Sequence, residues 1–174
     1  LAEFVFRQGD LHPTREGRGV EAQEGIECQQ KVQASRQQGS AAFAAEVSVR
    51  LDMQIDGVQT RLAGRVDGLF RSDQRIWRIE EYKATRALDV ALNPVDWGQC
   101  LIYAGLLCTQ ESIERMELAV IYVHPETLAE QVFERSVCAK TAEASLSLAL
   151  LCYEVRQRRH RLRCEAREAW MQAR

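Results

Sequence analysis

The run from Val47 to Ile55 restricts what this chain can fold into more than any other stretch. Val47, Val49, Leu51, Met53 and Ile55 alternate with Ser48, Arg50, Asp52 and Gln54. Alternation with period two over this length is the signature of a half-buried strand. Asp56-Gly57 follows, a pair suited to a tight hairpin turn, and an extended run from about Val58 to Phe70 returns from it. The polar stretch Arg71 to Arg75 makes a second turn, and a third strand is expected from Ile76 to about Thr85. Three consecutive strands joined by polar turns form an antiparallel meander.

The flanking segments read as helices and shorter strands. From about Gly17 to Gln38 the chain is rich in Glu, Gln, Ala and Arg, has no Pro, and meets Gly39, which predicts a helix with a glycine stop. Asn93 is a good N-cap, Pro94 suits the first helical position and Asp96 suits the positive end of the dipole, so a helix to about Cys108 is expected. Glu117 to Val123 and Ala129 to Val137 read as strands. Residues 139–174 have neither Gly nor Pro, and Leu148, Leu151, Val155, Leu162, Ala166 and Ala169 recur at helical spacing, giving one long helix or two. The order α-β-β-β-α-β-β-α predicts an α/β fold with a mixed central sheet and helices on its faces.

A chain of 174 residues fits one domain. We read residues 1–174 as a single domain with its core at about 17–155. No apolar run approaches the roughly 20 residues of a membrane span, and LAEFVFRQGD has no secretory pattern, so no membrane role and a cytoplasmic location are expected. The absent initiator Met suggests a fragment or a processed start. Of the six cysteines, no pair has C-x-x-C spacing, and Cys100, Cys108, Cys138 and Cys152 read as small core residues. Residues 1–138 carry 15 basic and 21 acidic side chains, a net of −6, whereas residues 139–174 carry 8 and 4, a net of +4. Arg outnumbers Lys by 20 to 3. That bias is compatible with nucleic acid, although a GC-rich genome is the simpler cause.

Chemistry concentrates in the third strand. Trp77, Ile79, Glu81 and Lys83 share one face. A face that begins with Trp and Ile is not a solvated one, so Glu81 and Lys83 are expected to be at least partly buried, and buried charges need partners or a metal. Asp67 on the preceding strand is placed to be such a partner. Two converging carboxylates attract a divalent cation, and an ammonium beside them can hold a phosphate or polarise a water. This is an assembly for phosphodiester hydrolysis, although an E-x-K pattern alone suits a surface ion pair equally well.

Gly64-Arg65-Val66-Asp67, Glu81-Tyr82-Lys83 and Gln99-x-x-x-Tyr103 together resemble the PD-(D/E)xK nucleases, and among them the RecB-type subgroup. The resemblance covers roughly residues 17–155 and implies a restriction-endonuclease-like core. It implies a metal-dependent DNA nuclease using Mg²⁺ or Mn²⁺, with Asp67, Glu81 and Lys83 catalytic. Asp67, Glu81 and the Tyr82 backbone carbonyl would ligate the metal, and Gln99 and Tyr103 would position Lys83 or the DNA backbone. Glu46 matches an acidic residue often found ahead of the first strand, and is a further candidate ligand or a solvated charge. Gly25 to Gln30 sits where the subgroup has a Gly-x-x-x-His pattern, so Gln29 stands at the metal-binding His position. That departure leaves open a catalytically weak module that binds DNA without cutting. His12, His124 and His160 lie off the motif. The chain also resembles the nuclease domain ahead of some bacterial DinG/XPD-like helicases, which implies a helicase partner, fused or associated, and a role in DNA repair or processing. Some RecB-type relatives hold an iron–sulfur cluster with one early and three late cysteines. Cys28, Cys138, Cys152 and Cys164 meet that count, but the late spacings lack a close pair, so ordinary thiols are expected.

Overall fold

The structure, a computed structural model, describes residues 1, 2, 5, 20–87 and 89–172. Its elements are α1 (Ala22–Gly39), β1 (Phe43–Ile55), β2 (Val58–Phe70), β3 (Ile76–Ala84), α2 (Pro94–Gln110), β4 (Arg115–Val123), β5 (Glu130–Cys138) and α3 (Ala139–Gln172). The five strands form one mixed sheet in the order β1-β2-β3-β4-β5. β1, β2 and β3 are the antiparallel meander, β3 and β4 run parallel with α2 as their connection, and β5 returns antiparallel on the edge. The fold is the expected α/β architecture, with a mixed central sheet flanked by helices.

Alternating side chains on the strands serve two layers. Met116, Leu118, Val120 and Tyr122 join Ile79 and Val66 in the core beneath α2 and α3. Ala119, Ile121, Val123 and Tyr82 face the other way and pack on Cys28 and Val32 of α1. The first turn joins β1 to β2 through Asp56 and Gly57, with φ of 51° and 78°. Positive φ at both central residues is the hairpin geometry whose twist matches the strands. Asn93 caps α2 as its sequence predicts, its side chain accepting from the Val95 amide at 2.9 Å.

Several boundaries differ from the sequence reading. The described part of α1 begins at Ala22, Gly39 is its last residue, and the Ser40 amide closes it onto the Arg36 carbonyl at 3.0 Å. β1 starts at Phe43, ahead of the alternating run, because the alternation slips at Glu46. Phe43 lies on the side of Gly68 and Tyr82, whereas Val47, Val49 and Val66 face α2. Glu46 itself has left-handed backbone, φ 55°. Residues 139–172 form one helix, but its packed residues are Ala142, Leu146 and Ala149, while Leu148, Leu151, Val155 and Leu162 are exposed. α3 crosses α2 at Gly105, where an added Cβ would lie 2.5 Å from the Leu146 Cβ and 2.8 Å from the Ala142 carbonyl oxygen. Cys100 and Cys108 are buried, Cys152 is half-buried, and Cys138 departs from the core reading. It is exposed where the edge strand β5 turns into α3, its Sγ 3.2 Å from Thr141 Oγ1. Among the described residues no helix is long and apolar enough to cross a membrane. His12 and residues 17–19 lie outside the described residues.

Candidate active site

β2 and β3 pair through Gly68↔Glu80, Leu69↔Ile79 and Phe70↔Arg78. Beyond that ladder the Asp67 side chain takes over, and its Oδ2 accepts from the Tyr82 amide at 2.9 Å. Asp67 thereby sits beside Glu81, the next residue of β3 toward its carboxyl end. Glu81 is 1% exposed. One of its oxygens, Oε1, accepts from the Lys83 ammonium at 2.6 Å. The other, Oε2, is buried with no hydrogen-bond partner. A buried carboxylate oxygen without a donor is costly.

The electrostatics follow from that geometry. Burial, and then the neighbouring Asp67 charge, push the Glu81 carboxyl up to about 8, although Lys83 pulls it back. Burial also raises Asp67, against the Tyr82 amide and the Lys83 charge, which favour its ionised form. Burial alone would lower Lys83, but Glu81, Asp96 and Asp67 together outweigh it and hold the ammonium above its usual range.

α2 closes the site from above Lys83. The ammonium lies 3.4 Å from Gln99 Oε1, and the Gln99 amide nitrogen donates to the Tyr103 hydroxyl at 3.2 Å. Gln99 and Tyr103 are one turn apart on one helix face. The Tyr103 ring lies directly on β2 at Gly64, where an added Cβ would be 2.5 Å from its Cε1. A close approach of this kind is what the first residue of the Gly64-x-x-Asp67 segment provides. Asp96, one turn ahead of Gln99, is 5% exposed. Its Oδ1 is 4.0 Å from Lys83, and its Oδ2 accepts from the Tyr122 hydroxyl at 2.8 Å. Sequence reasoning assigned Asp96 only to the helix dipole, although its spacing from Gln99 already put both on the same turn.

α1 closes the opposite side. Gln29 and Gln33, again one turn apart, each donate to Glu46 Oε1, at 2.7 and 2.8 Å. Gln33 also donates to the Asp67 carbonyl at 2.8 Å, and Gln29 lies near enough to the Asp67 side chain to favour its ionised form slightly. The second oxygen of Glu46 pairs with Arg65. Glu46 is therefore held by α1 opposite Asp67, and Gln29 turns its amide nitrogen to the Glu46 carboxylate. Gln33 had no role in the sequence reading. Its position four residues after Gln29 was the available signal. His124 is apart from this cluster, its Nδ1 accepting weakly from the Glu126 and Thr127 amides of its own turn. His160 lies 3.6 Å from Cys164 on the exposed part of α3.

The donor set fits a hard divalent cation. Asp67 and Glu81 supply two neighbouring carboxylates, one of them with an oxygen that no group among the described residues satisfies. Among the described residues no three His, Cys, Asp or Glu side chains gather into a closed cage. Oxygen-only coordination through one or two carboxylates, completed by water and substrate, is how Mg²⁺ is commonly held.

No family model matches the chain, and no curated protein does. Solved structures do. SSO0001 is similar with a TM-score of 0.48 and 20% identity, over 71% of this chain and 58% of that one. The "Putative exonuclease" of Eubacterium rectale is similar with a TM-score of 0.39 and 8% identity, over 71% of this chain and 49% of that one. The chain thus spans less than two thirds of either.

Proposed function

We propose that this chain is a divalent-metal-dependent deoxyribonuclease that hydrolyses phosphodiester bonds. The observation that carries the reading is Glu81: a buried carboxylate with one oxygen on Lys83, the other unsatisfied, beside a second, half-buried carboxylate, Asp67. Asp67, Glu81 and the Tyr82 carbonyl would hold Mg²⁺ or Mn²⁺. When bound, such an ion supplies Lewis acidity toward a phosphoryl oxygen and makes water more acidic. Lys83 stays charged and has donors beyond its bond to Glu81, so it orients the attacking water and stabilises charge developing on the phosphate. Gln99 and Tyr103 hold Lys83 on its α2 side and line the approach for the DNA backbone.

A second reading has its own support. Gln29 presents a donor to Glu46 and not a ligand, which favours a catalytically weak module that guides DNA strands, for example to a helicase in DNA repair or processing. Labelled single-stranded and duplex DNA incubated with Mn²⁺ or chelator separates the two. We expect Mn²⁺-dependent cutting that disappears in Asp67→Ala, Glu81→Ala and Lys83→Ala. DNA retention without cutting supports the second reading, and cutting at the wild-type level by all three variants refutes the first.

A further inference from the structure

We infer that Gln33 is a positioning residue: it locks the left-handed turn at Glu46 and, through it, the direction of the Asp67 carboxylate. Between the pairs Ala45↔Gly68 and Val47↔Val66, the β1–β2 ladder places Glu46 against Asp67. At this point the faces of the two strands exchange. Gly68 points at Phe43 and the Tyr82 hydroxyl, while Val66 points into the core under α2. The exchange needs one residue with irregular backbone, and Glu46 takes it at φ 55°. Glutamate gains nothing from that conformation by itself, since left-handed backbone is unfavourable for any residue with a Cβ. Other contacts must hold it.

Gln33 supplies them with a single group. Its side-chain nitrogen donates to Glu46 Oε1 and to the Asp67 backbone carbonyl, both at 2.8 Å, and so ties both strands to α1 where they exchange faces. The residue is 6% exposed, so water cannot replace these bonds cheaply. It is also rigidly based. Val32 beside it and Cys28 before it are buried against Tyr82, Ile121 and Val123. Gln29 adds a second donor to the same Glu46 oxygen. The chain of contacts runs from α1 through the Asp67 carbonyl and its Cα to the Asp67 carboxylate, which then receives the Tyr82 amide. The Tyr82 amide is therefore a reporter of where that carboxylate points, independent of any reaction.

Gln33→Met preserves length and removes the donor. Val32→Ala is the control, because it loosens α1 by a core cavity and leaves the Gln33 side-chain bonds to Glu46 and Asp67 in place. Hydrogen exchange followed by NMR on the metal-free protein is the primary assay. We expect the Tyr82 amide to exchange at least tenfold faster in Gln33→Met, with the Ile79 amide unchanged, and the two amides to keep their ratio in Val32→Ala. Unchanged Tyr82 protection in Gln33→Met, or an equal change at Ile79, overturns the inference. This readout needs no catalysis. The kinetic consequence rests on the nuclease reading: kcat with Mn²⁺ should fall at least tenfold in Gln33→Met while KM for DNA holds. If wild type does not cut at all, the nuclease reading fails and the exchange result still decides the role of Gln33. If wild type cuts and Gln33→Met cuts equally well with altered exchange, the positioning of Asp67 has no catalytic effect and the inference is overturned.

Discussion

Glu81→Gln should stabilise the metal-free protein, and by more as pH rises. The side chain is 1% exposed, and its carboxyl is moved from 4.5 to about 8 by burial and by Asp67. The folded state therefore holds this proton more tightly than the unfolded chain does. Below pH 4.5 the group is neutral in both states and costs nothing. Between 4.5 and 8 the unfolded chain releases the proton and the folded one resists, so stability is lost steadily across that window. At about 1.4 kcal/mol per pH unit, the accumulated loss at pH 7 is about 3 kcal/mol as an order of magnitude. Burial acts on Asp67 with the same sign. Glutamine removes the titration, keeps an oxygen for Lys83, and puts a donor where Oε2 has no partner. Urea unfolding in chelator at pH 5 and pH 8 measures the effect. The variant should be close to wild type at pH 5 and clearly more stable at pH 8. Mn²⁺ should then narrow the gap, because wild type gains about 1.4 kcal/mol at ten times its dissociation constant and the variant gains less. Parallel pH slopes for the two proteins, or a Glu81→Gln variant less stable at pH 8, would refute the reasoning.

Two further outcomes test the walls of the site and its surroundings. Gly64→Ala should cost about 1–3 kcal/mol by overpacking against the Tyr103 ring, and almost nothing in a Tyr103→Ala background; a double-mutant cycle by thermal melts checks this, and equal costs in both backgrounds would show that the ring is not what the methyl meets. Charge reversal at Arg158 and Arg159, both exposed on α3, should weaken DNA binding and lower its salt slope by about 2; an unchanged affinity and slope in a salt titration would turn that helix into a docking surface for another domain.

The meander was legible because its residues obey one rule at a time. Val47 to Ile55 alternate without exception, and Asp56-Gly57 can adopt the positive φ that the turn needs. The same rule hid the start of β1. Ala44, Ala45 and Glu46 do not continue the alternation, since the strand exchanges faces there, and period two cannot describe a strand that does so. Glu81 and Lys83 could be placed side by side from the strand period, and Gln99 and Tyr103 from the helical one. Asp96 and Gln33 could not be recognised in that way. Each acts across elements, Asp96 from α2 to Lys83 of β3 and Gln33 from α1 to two strands at once. On their own helices they look like an ordinary first-turn acid and an ordinary polar residue. The packing of α3 was misleading for a related reason. Its larger apolar residues recur at helical spacing but stay exposed, and the contact with α2 is made where Gly105 allows Ala142 and Leu146 to come close.

The places where local rules fail are clustered, and the clustering itself is informative. Within two residues of Asp67 or directly against it lie a buried carboxyl oxygen without a donor, a non-glycine residue with left-handed backbone, and a buried acid whose ionisation a neighbouring carboxylate opposes. Each is unfavourable in the metal-free protein, and folding alone would be served better by a neutral side chain at position 81 and a glycine at position 46. The surrounding sheet is ordinary by comparison, with its apolar residues alternating between two well-filled layers. A sequence that departs from its own folding preferences at one point, and supports that point from α1, α2 and β2 together, is what the proposed metal-binding role requires. A site serving only as a surface ion pair would need neither the burial of Glu81 nor the Gln33 tie.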